Sequence, residues 1–146
     1  DIDIEYEDNA GSLYSKIIDT ALVQIEDFLP KLQNNTYKKT VQNHELANTW
    51  RKRGKKDGLI DFRMSSNSVY NLVRALTRPY IGAHIEYKGK DIQVWNAKEY
   101  LCNLENIEAG KVLEVKENSI IIKCQTNAIE ILEHEFKELP KVGEYL

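Results

Sequence analysis

No stretch of this sequence approaches the roughly 20 consecutive apolar residues that a membrane-spanning helix needs. The first residues, Asp1-Ile2-Asp3-Ile4-Glu5, also lack the positive start and apolar core of a secretion signal. The compartment these absences imply is the cytoplasm. Cysteine is scarce: Cys102 and Cys124 form no CxxC pair and stand at no metal-ligand spacing from His44, His84 or His134. Both are therefore read as reduced thiols, and no metal site, zinc in particular, is expected. There is no Gly-x-Ser-x-Gly elbow, no Walker-type glycine loop, no metal-binding histidine helix, no internal repeat and no low-complexity segment.

What is present is the composition of a folded domain. The 146 residues are 42% hydrophobic and 29% charged, enough apolar side chain to exclude a disordered chain. The net charge of −3 is unevenly spread. Residues 1–37 carry two Lys/Arg against eight Asp/Glu, residues 38–63 carry eight against three, and residues 75–146 carry nine against twelve. A basic block in the middle of an acidic chain is a candidate anion site, with a solvated loop as the plainer alternative.

Along the chain, Ile2, Ile4 and Tyr6 alternate with acidic residues at the period of a half-buried strand. Asp8-Asn9 supplies an N-cap, and Ala10, Leu13, Tyr14, Ile17, Ala21, Ile25 and Phe28 recur at helical spacing, widened by Leu22 and Leu29. Pro30 is expected to end or kink that helix. Nothing else in residues 1–35 offers a sheet to cover its apolar face, so residues 10–29 are expected to be covered by something other than residues 36–146. A short strand is predicted over Tyr37–Gln42, followed by the basic connection Trp50-Arg51-Lys52-Arg53-Gly54-Lys55-Lys56. Asp57-Gly58 signals a turn, Leu59 to Phe62 a buried segment, and Ser65 the cap of a helix carrying Val69, Leu72, Val73 and Leu76 up to Arg78-Pro79. Short strands follow over Ala83–Tyr87, Ile92–Trp95, Lys111–Val115, Ile120–Ile122 and Ile129–Leu132, with Lys88-Gly89-Lys90 as a tight turn and Tyr100–Ala109 as a long loop. The class is α+β, its second half a small antiparallel barrel or open sheet.

The succession Arg53, Asp57-Gly58-x-Ile60-Asp61-Phe62, Asn71-Leu72-Val73-Arg74-Ala75-Leu76 and Pro79-Tyr80-Ile81-Gly82-Ala83 resembles a known junction. It lies between the catalytic and C-terminal domains of the folate-dependent formyltransferases, the family of methionyl-tRNA formyltransferase and the sugar-nucleotide N-formyltransferases. The resemblance implies three parts. Residues 1–62 would be the end of a Rossmann-like formyltransferase domain plus the basic connection, residues 63–78 a hinge helix, and residues 79–146 an OB-like β domain. It implies 10-formyltetrahydrofolate as the cofactor, bound by a catalytic half outside this sequence. The acceptor it implies is a nucleotide-linked amino sugar or initiator methionyl-tRNA.

Formyl transfer to an amine needs a base and donors for a tetrahedral oxyanion. The family supplies these with an Asn-x-His pair and an aspartate, and no Asn-x-His occurs here. No catalytic residue is assigned, Asp1 and Asp3 included, and this chain alone is expected to be inactive. Arg51 and Arg53 offer planar forks for phosphate, Trp50 a surface for a base or sugar, and Tyr80 a stacking ring at the mouth of the hinge. Asp61 and Arg74 are read as a structural pair, His84 as solvated, and His134 as a surface residue whose flanking carboxylates could raise its pKa. The charge balance favours the nucleotide-linked amino sugar over tRNA, because residues 75–146 have the wrong sign for a phosphate backbone. A non-catalytic OB-like binding module or a self-pairing dimerisation module is the alternative of another class.

Overall fold

The computed structural model describes residues 1–146, and no helix in it is long and apolar enough to cross a membrane. Helix α1 spans Ala10–Gln33. Its start is a capping box: Asn9 Oδ1 accepts from the N–H groups of Gly11 and Ser12, while Ser12 Oγ accepts from the Asn9 N–H at 3.0 Å. Asp8 is buried beside it and accepts from the Glu5 N–H at 2.7 Å, Lys16 Nζ at 2.5 Å and Ser12 Oγ at 2.8 Å. Those donors, Lys16 first, hold its carboxyl down at about 2. Pro30 does not stop the helix, which runs on to Gln33: one missing N–H costs a single ladder bond, and the N–H of Asn34 still reaches Pro30 O.

The expected strand at residues 1–6 does not form, because a strand exists only against a partner and none lies beside this segment. The chain turns at Glu5–Asp8 instead, with Asp8 N–H donating to Glu5 O at 3.1 Å. The strand expected over Tyr37–Gln42 is absent for the same reason; that stretch is exposed and leads into a single 3-10 turn at His44–Leu46.

Helix α2, Ser66–Leu76, begins at Ser65, whose Oγ accepts from the Ser68 N–H at 3.1 Å, and buries Val69, Tyr70 and Val73. It lies on an antiparallel sheet of five strands: β1 Ala83–Tyr87, β2 Lys90–Tyr100, β3 Val112–Val115, β4 Ile120–Lys123 and β5 Ala128–His134, in the order β1-β2-β5-β4-β3. The β1–β2 hairpin closes through Lys88 and Gly89, both at positive φ, which suits the twist of the strands. The strand expected over Ile92–Trp95 is longer than its alternation suggests, and the expected long loop begins just after it, at Leu101. β2 continues through Asn96–Tyr100 because β5 pairs with it all the way, from Val94 opposite His134 to Tyr100 opposite Ala128, across an irregularity at Asn96.

Ile85, Val94, Val112, Ile120, Ile122, Ile129 and Ile131 are fully buried and form one core with Ile60, Phe62, Val69 and Val73. Both sheet edges are met by backbone at their N-terminal ends, which shortens the open edge each strand presents. Leu59 bridges His84 along β1, where the Ile60 N–H donates to His84 O at 2.8 Å, and Tyr145 bridges Lys111 ahead of β3. The edge cover also corrects the reading of His84. Alternation along β1 points it away from the core, but the 55–60 segment lies over it and leaves it 5% exposed.

Candidate functional site

The basic connection folds into a pinned turn. Gly58 is buried, and a Cβ there would meet Leu76 at 3.2 Å, so the turn sits directly on the end of α2. Asp57 organises the loop. Its Oδ2 accepts from the Gly54 N–H at 2.7 Å and from Arg51 Nη1 at 2.9 Å, while Arg51 Nη2 pairs with Oδ1. This is the bidentate fork that guanidinium makes with carboxylate. Arg51, then the Gly54 N–H, holds the Asp57 carboxyl far below the usual range. Lys55 pairs with Asp91 near the start of β2 and lowers that carboxyl too. Lys52, Arg53 and Lys56 are exposed and make no ion pair.

Of the residues singled out from sequence, Trp50, Arg51 and Arg53 share this turn or its entrance. Trp50 is 80% exposed, with Nε1 donating to Asn48 Oδ1 at 2.8 Å. Tyr80 lies elsewhere: it lines a groove of about 420 Å³ between α1 and α2 with Ile4, Leu13, Tyr14, Ile17 and Arg74.

A second concavity of about 700 Å³ lies between the N-terminal segment, α2, β2 and β5. Sequence reasoning missed its residues because they come from four separate elements. Arg78 stacks over Trp95 at 4.3 Å and donates to Glu133 at 2.8 Å. Glu99 gathers Ser66 Oγ at 2.5 Å, Tyr6 OH at 2.7 Å and Asn67 Nδ2 at 3.1 Å, donors that lower its pKa. Tyr6 stacks on Tyr70 at 5.0 Å, and its own hydroxyl is pushed up to about 12 by Glu99. The expected Asp61–Arg74 pair does not form. Asp61 takes its neighbour Arg63, whereas Arg74 donates to Asn71 Oδ1 at 2.8 Å and to the Asp8 carbonyl at 2.7 Å. A carbonyl array brought up by the N-terminal segment satisfies Arg74 where no carboxylate reaches it.

The residues present do not make a folate or formyl-transfer site. His44 lies in the exposed 44–46 turn, and His84 is covered by the 55–60 segment. His134 is half-buried against Phe136, its Nε2 enclosed without a partner. Desolvation lowers its pKa, the opposite of what its flanking carboxylates suggest; Glu133 is turned to Arg78 and Glu135 to Trp95 Nε1.

Comparison with known proteins gives the chain its family. Residues 52–143, which hold the basic turn, α2 and all five strands, match the family described as formyl transferase, C-terminal domain. The chain is 33% identical over 138 residues to the bifunctional polymyxin resistance protein ArnA of Wigglesworthia glossinidia brevipalpis, covering 94% of the chain and 20% of that protein. It is 32% identical over 147 residues to the methionyl-tRNA formyltransferase of Caldanaerobacter subterraneus, covering 99% of the chain and 47% of that protein. The chain thus spans less than half the length of these relatives. A HypX variant from Aquifex aeolicus shares the fold at a TM-score of 0.69 and 18% identity, over 94% of this chain and 24% of that one. A HypX structure in complex with tetrahydrofolic acid aligns at 0.59 and 20% identity, over 78% of this chain and 20% of that one. With the family match running over residues 52–143, well over half of its length, this chain belongs to the formyl transferase C-terminal domain family.

Proposed function

We propose that this chain is the C-terminal part of a cytoplasmic, 10-formyltetrahydrofolate-dependent formyltransferase that acts on the amine of a nucleotide-linked amino sugar. Residues 1–62 end the Rossmann-like catalytic domain and carry the basic connection, residues 63–78 are the hinge helix, and residues 79–146 are an OB-like β domain. The folate and the catalytic groups belong to the rest of the enzyme. Trp50, Arg53 and Tyr80 are the residues of this chain read as facing the acceptor, with Arg51 held on Asp57 to shape the turn that presents them.

The observation that carries the choice of acceptor is the sign of the charge on residues 75–146, nine Lys/Arg against twelve Asp/Glu. There Lys98 and Lys116 are both paired with Glu130, Arg78 with Glu133, and Lys123 is buried with its ammonium on the carbonyls of Cys124 and Asn127, which leaves Lys88, Lys90, Lys111, Lys137 and Lys141 outside ion pairs and outnumbered by the acidic side chains. A protein that neutralises many phosphates of a nucleic acid needs those charges free and spread over a surface. The compact turn at residues 51–56 suits a diphosphate instead.

Methionyl-tRNA remains the second reading, favoured by the likeness to the methionyl-tRNA formyltransferase of Caldanaerobacter over 99% of the chain. The test is binding of the complete enzyme to a UDP-linked amino sugar and to initiator tRNA across a salt series. Binding of the sugar nucleotide with little response to tRNA is expected. Tight, steeply salt-dependent tRNA binding without response to the sugar nucleotide would restore the second reading.

A further inference from the structure

The five cations between Arg51 and Lys56 are not equivalent, although in sequence they form one block. Two are consumed in shaping the turn: Arg51 clasps Asp57, and Lys55 ties the turn to Asp91 near the start of β2. Asp57 also receives the Gly54 N–H, and the Asp57 N–H returns to Gly54 O at 3.0 Å, so the stretch between them closes into a short ring. Of the other three, Lys56 emerges from that ring and Lys52 and Arg53 from the stretch between it and the Arg51–Asp57 clasp, all exposed and without ion-pair partners.

We infer that the ring is a preformed receptor for a phosphate-bearing anion, a diphosphate in particular, contacted by Arg53, Lys52 and Lys56. Arg51 and Asp57 act in it as positioning residues rather than as ligands. The inference deepens the proposed acceptor reading and rests on it for the identity of the diphosphate's owner.

The physical case is one of preorganisation and charge. Long cationic side chains on a loose loop lose ordering entropy when they converge on an anion, and a loop already closed by a bidentate pair loses less. Arg51 in turn is poorly placed to serve as a ligand, because reaching a phosphate would mean abandoning both oxygens of Asp57 and leaving that carboxylate beside the incoming anion. Arg53 carries no such penalty, and its planar fork is the strongest recogniser of phosphate oxygens among the free groups.

The experiment uses the 146-residue chain and inorganic pyrophosphate, with titrations followed by NMR on the arginine Nε–H signals and the backbone amides. Pyrophosphate is expected to shift the Arg53 guanidinium signal and to leave that of Arg51 in place. Arg53→Gln, Lys52→Gln and Lys56→Gln are each expected to weaken binding about three- to fivefold, the scale of one exposed charge pair. The double variant Arg51→Gln/Asp57→Asn keeps the net charge of the turn. It is expected to speed amide exchange between Gly54 and Leu59 and to weaken binding about threefold. A shifted Arg51 signal, or undiminished affinity in the double variant despite faster exchange, would overturn the positioning role, and no response of the turn to pyrophosphate would overturn the receptor itself. Pyrophosphate binding at the turn, together with failure of the complete enzyme to bind any UDP-linked amino sugar, would instead remove the acceptor reading and leave the anion receptor standing.

Discussion

Gly110 sits at a φ of +90°, and a Cβ built on it would stand 2.7 Å from the carbonyl oxygen of Leu146. The C-terminal strap runs across this point, with Leu146 N–H donating to Gly110 O at 3.0 Å, so neither side can move without losing the pairing that covers β3. Gly110→Ala is expected to cost about 1–3 kcal/mol in urea unfolding, since it adds a backbone clash to a strained conformation. Glu130 offers a second measurable case. It is 4% exposed, receives Lys116 Nζ and Ser119 Oγ at 2.8 Å each and Lys98 at 3.0 Å, and is held down at about 2, chiefly by Lys116. A folded pKa below the free carboxyl's value of about 4.3 means that the unfolded chain takes up the proton first as the solution acidifies. The stabilisation is therefore complete above about pH 4.3 and drains away as pH falls towards 2. Glu130→Gln is expected to cost about 1–3 kcal/mol at neutral pH and to flatten this acid limb of the stability–pH curve.

The two helices, both amphipathic in sequence, differ in what their apolar faces touch. α2 lays Val69 and Val73 into the core, whereas α1 buries no residue, with Leu22, Val23, Ile25 and Phe28 all 43% exposed or more. Most of the apolar face of residues 10–29 is left exposed by residues 36–146, and only its N-terminal end, with Ala10 and Leu13 half-buried, lies beside α2. Val69→Ala should therefore cost about 2 kcal/mol through lost burial and the cavity left behind. Leu22→Gln should change the unfolding free energy of this chain by less than about 0.5 kcal/mol, because glutamine is a good helix former and no core contact is lost. Urea titrations of the two variants side by side check both values; a large loss at Leu22 would show that the α1 face is packed in solution. Native-state amide exchange should likewise be faster along α1 than in β4 and β5, where Ile120, Ile121, Ile122, Ile129 and Ile131 are all fully buried.

At the scale of the whole molecule, α1 is joined to the sheet domain through polar contacts rather than through the core. Arg74 donates to the Asp8 carbonyl, Tyr70 OH to the Tyr6 carbonyl at 3.0 Å, and Tyr6 OH to Glu99. This latch sets the direction in which α1 leaves the sheet. Arg74→Met keeps the length of the side chain and loses its donors. Limited proteolysis should then cut residues 1–33 several times faster while the 60–146 fragment stays intact; unchanged cleavage would mean that the latch contributes nothing.

Much of this was legible from short-range pattern. The α2 cap and stripe, the Lys88-Gly89 hairpin, the five strands and the uncovered face of α1 are written in residues no more than four apart, because helical and pleated periods are local. The family resemblance was legible in the same way, since its motif residues cluster between Arg53 and Ala83. What only the tertiary structure decided depends on groups distant in sequence meeting after collapse. β5 determined how far β2 extends; the 55–60 segment buried His84; carbonyls of the N-terminal segment, not Asp61, took Arg74; and Asp57 separated Arg51 from Arg53 within one basic run. Periodicity states which face of an element is apolar. A ladder partner or a counter-charge is chosen by approach through space, and that choice decides which side chains remain free to meet a ligand.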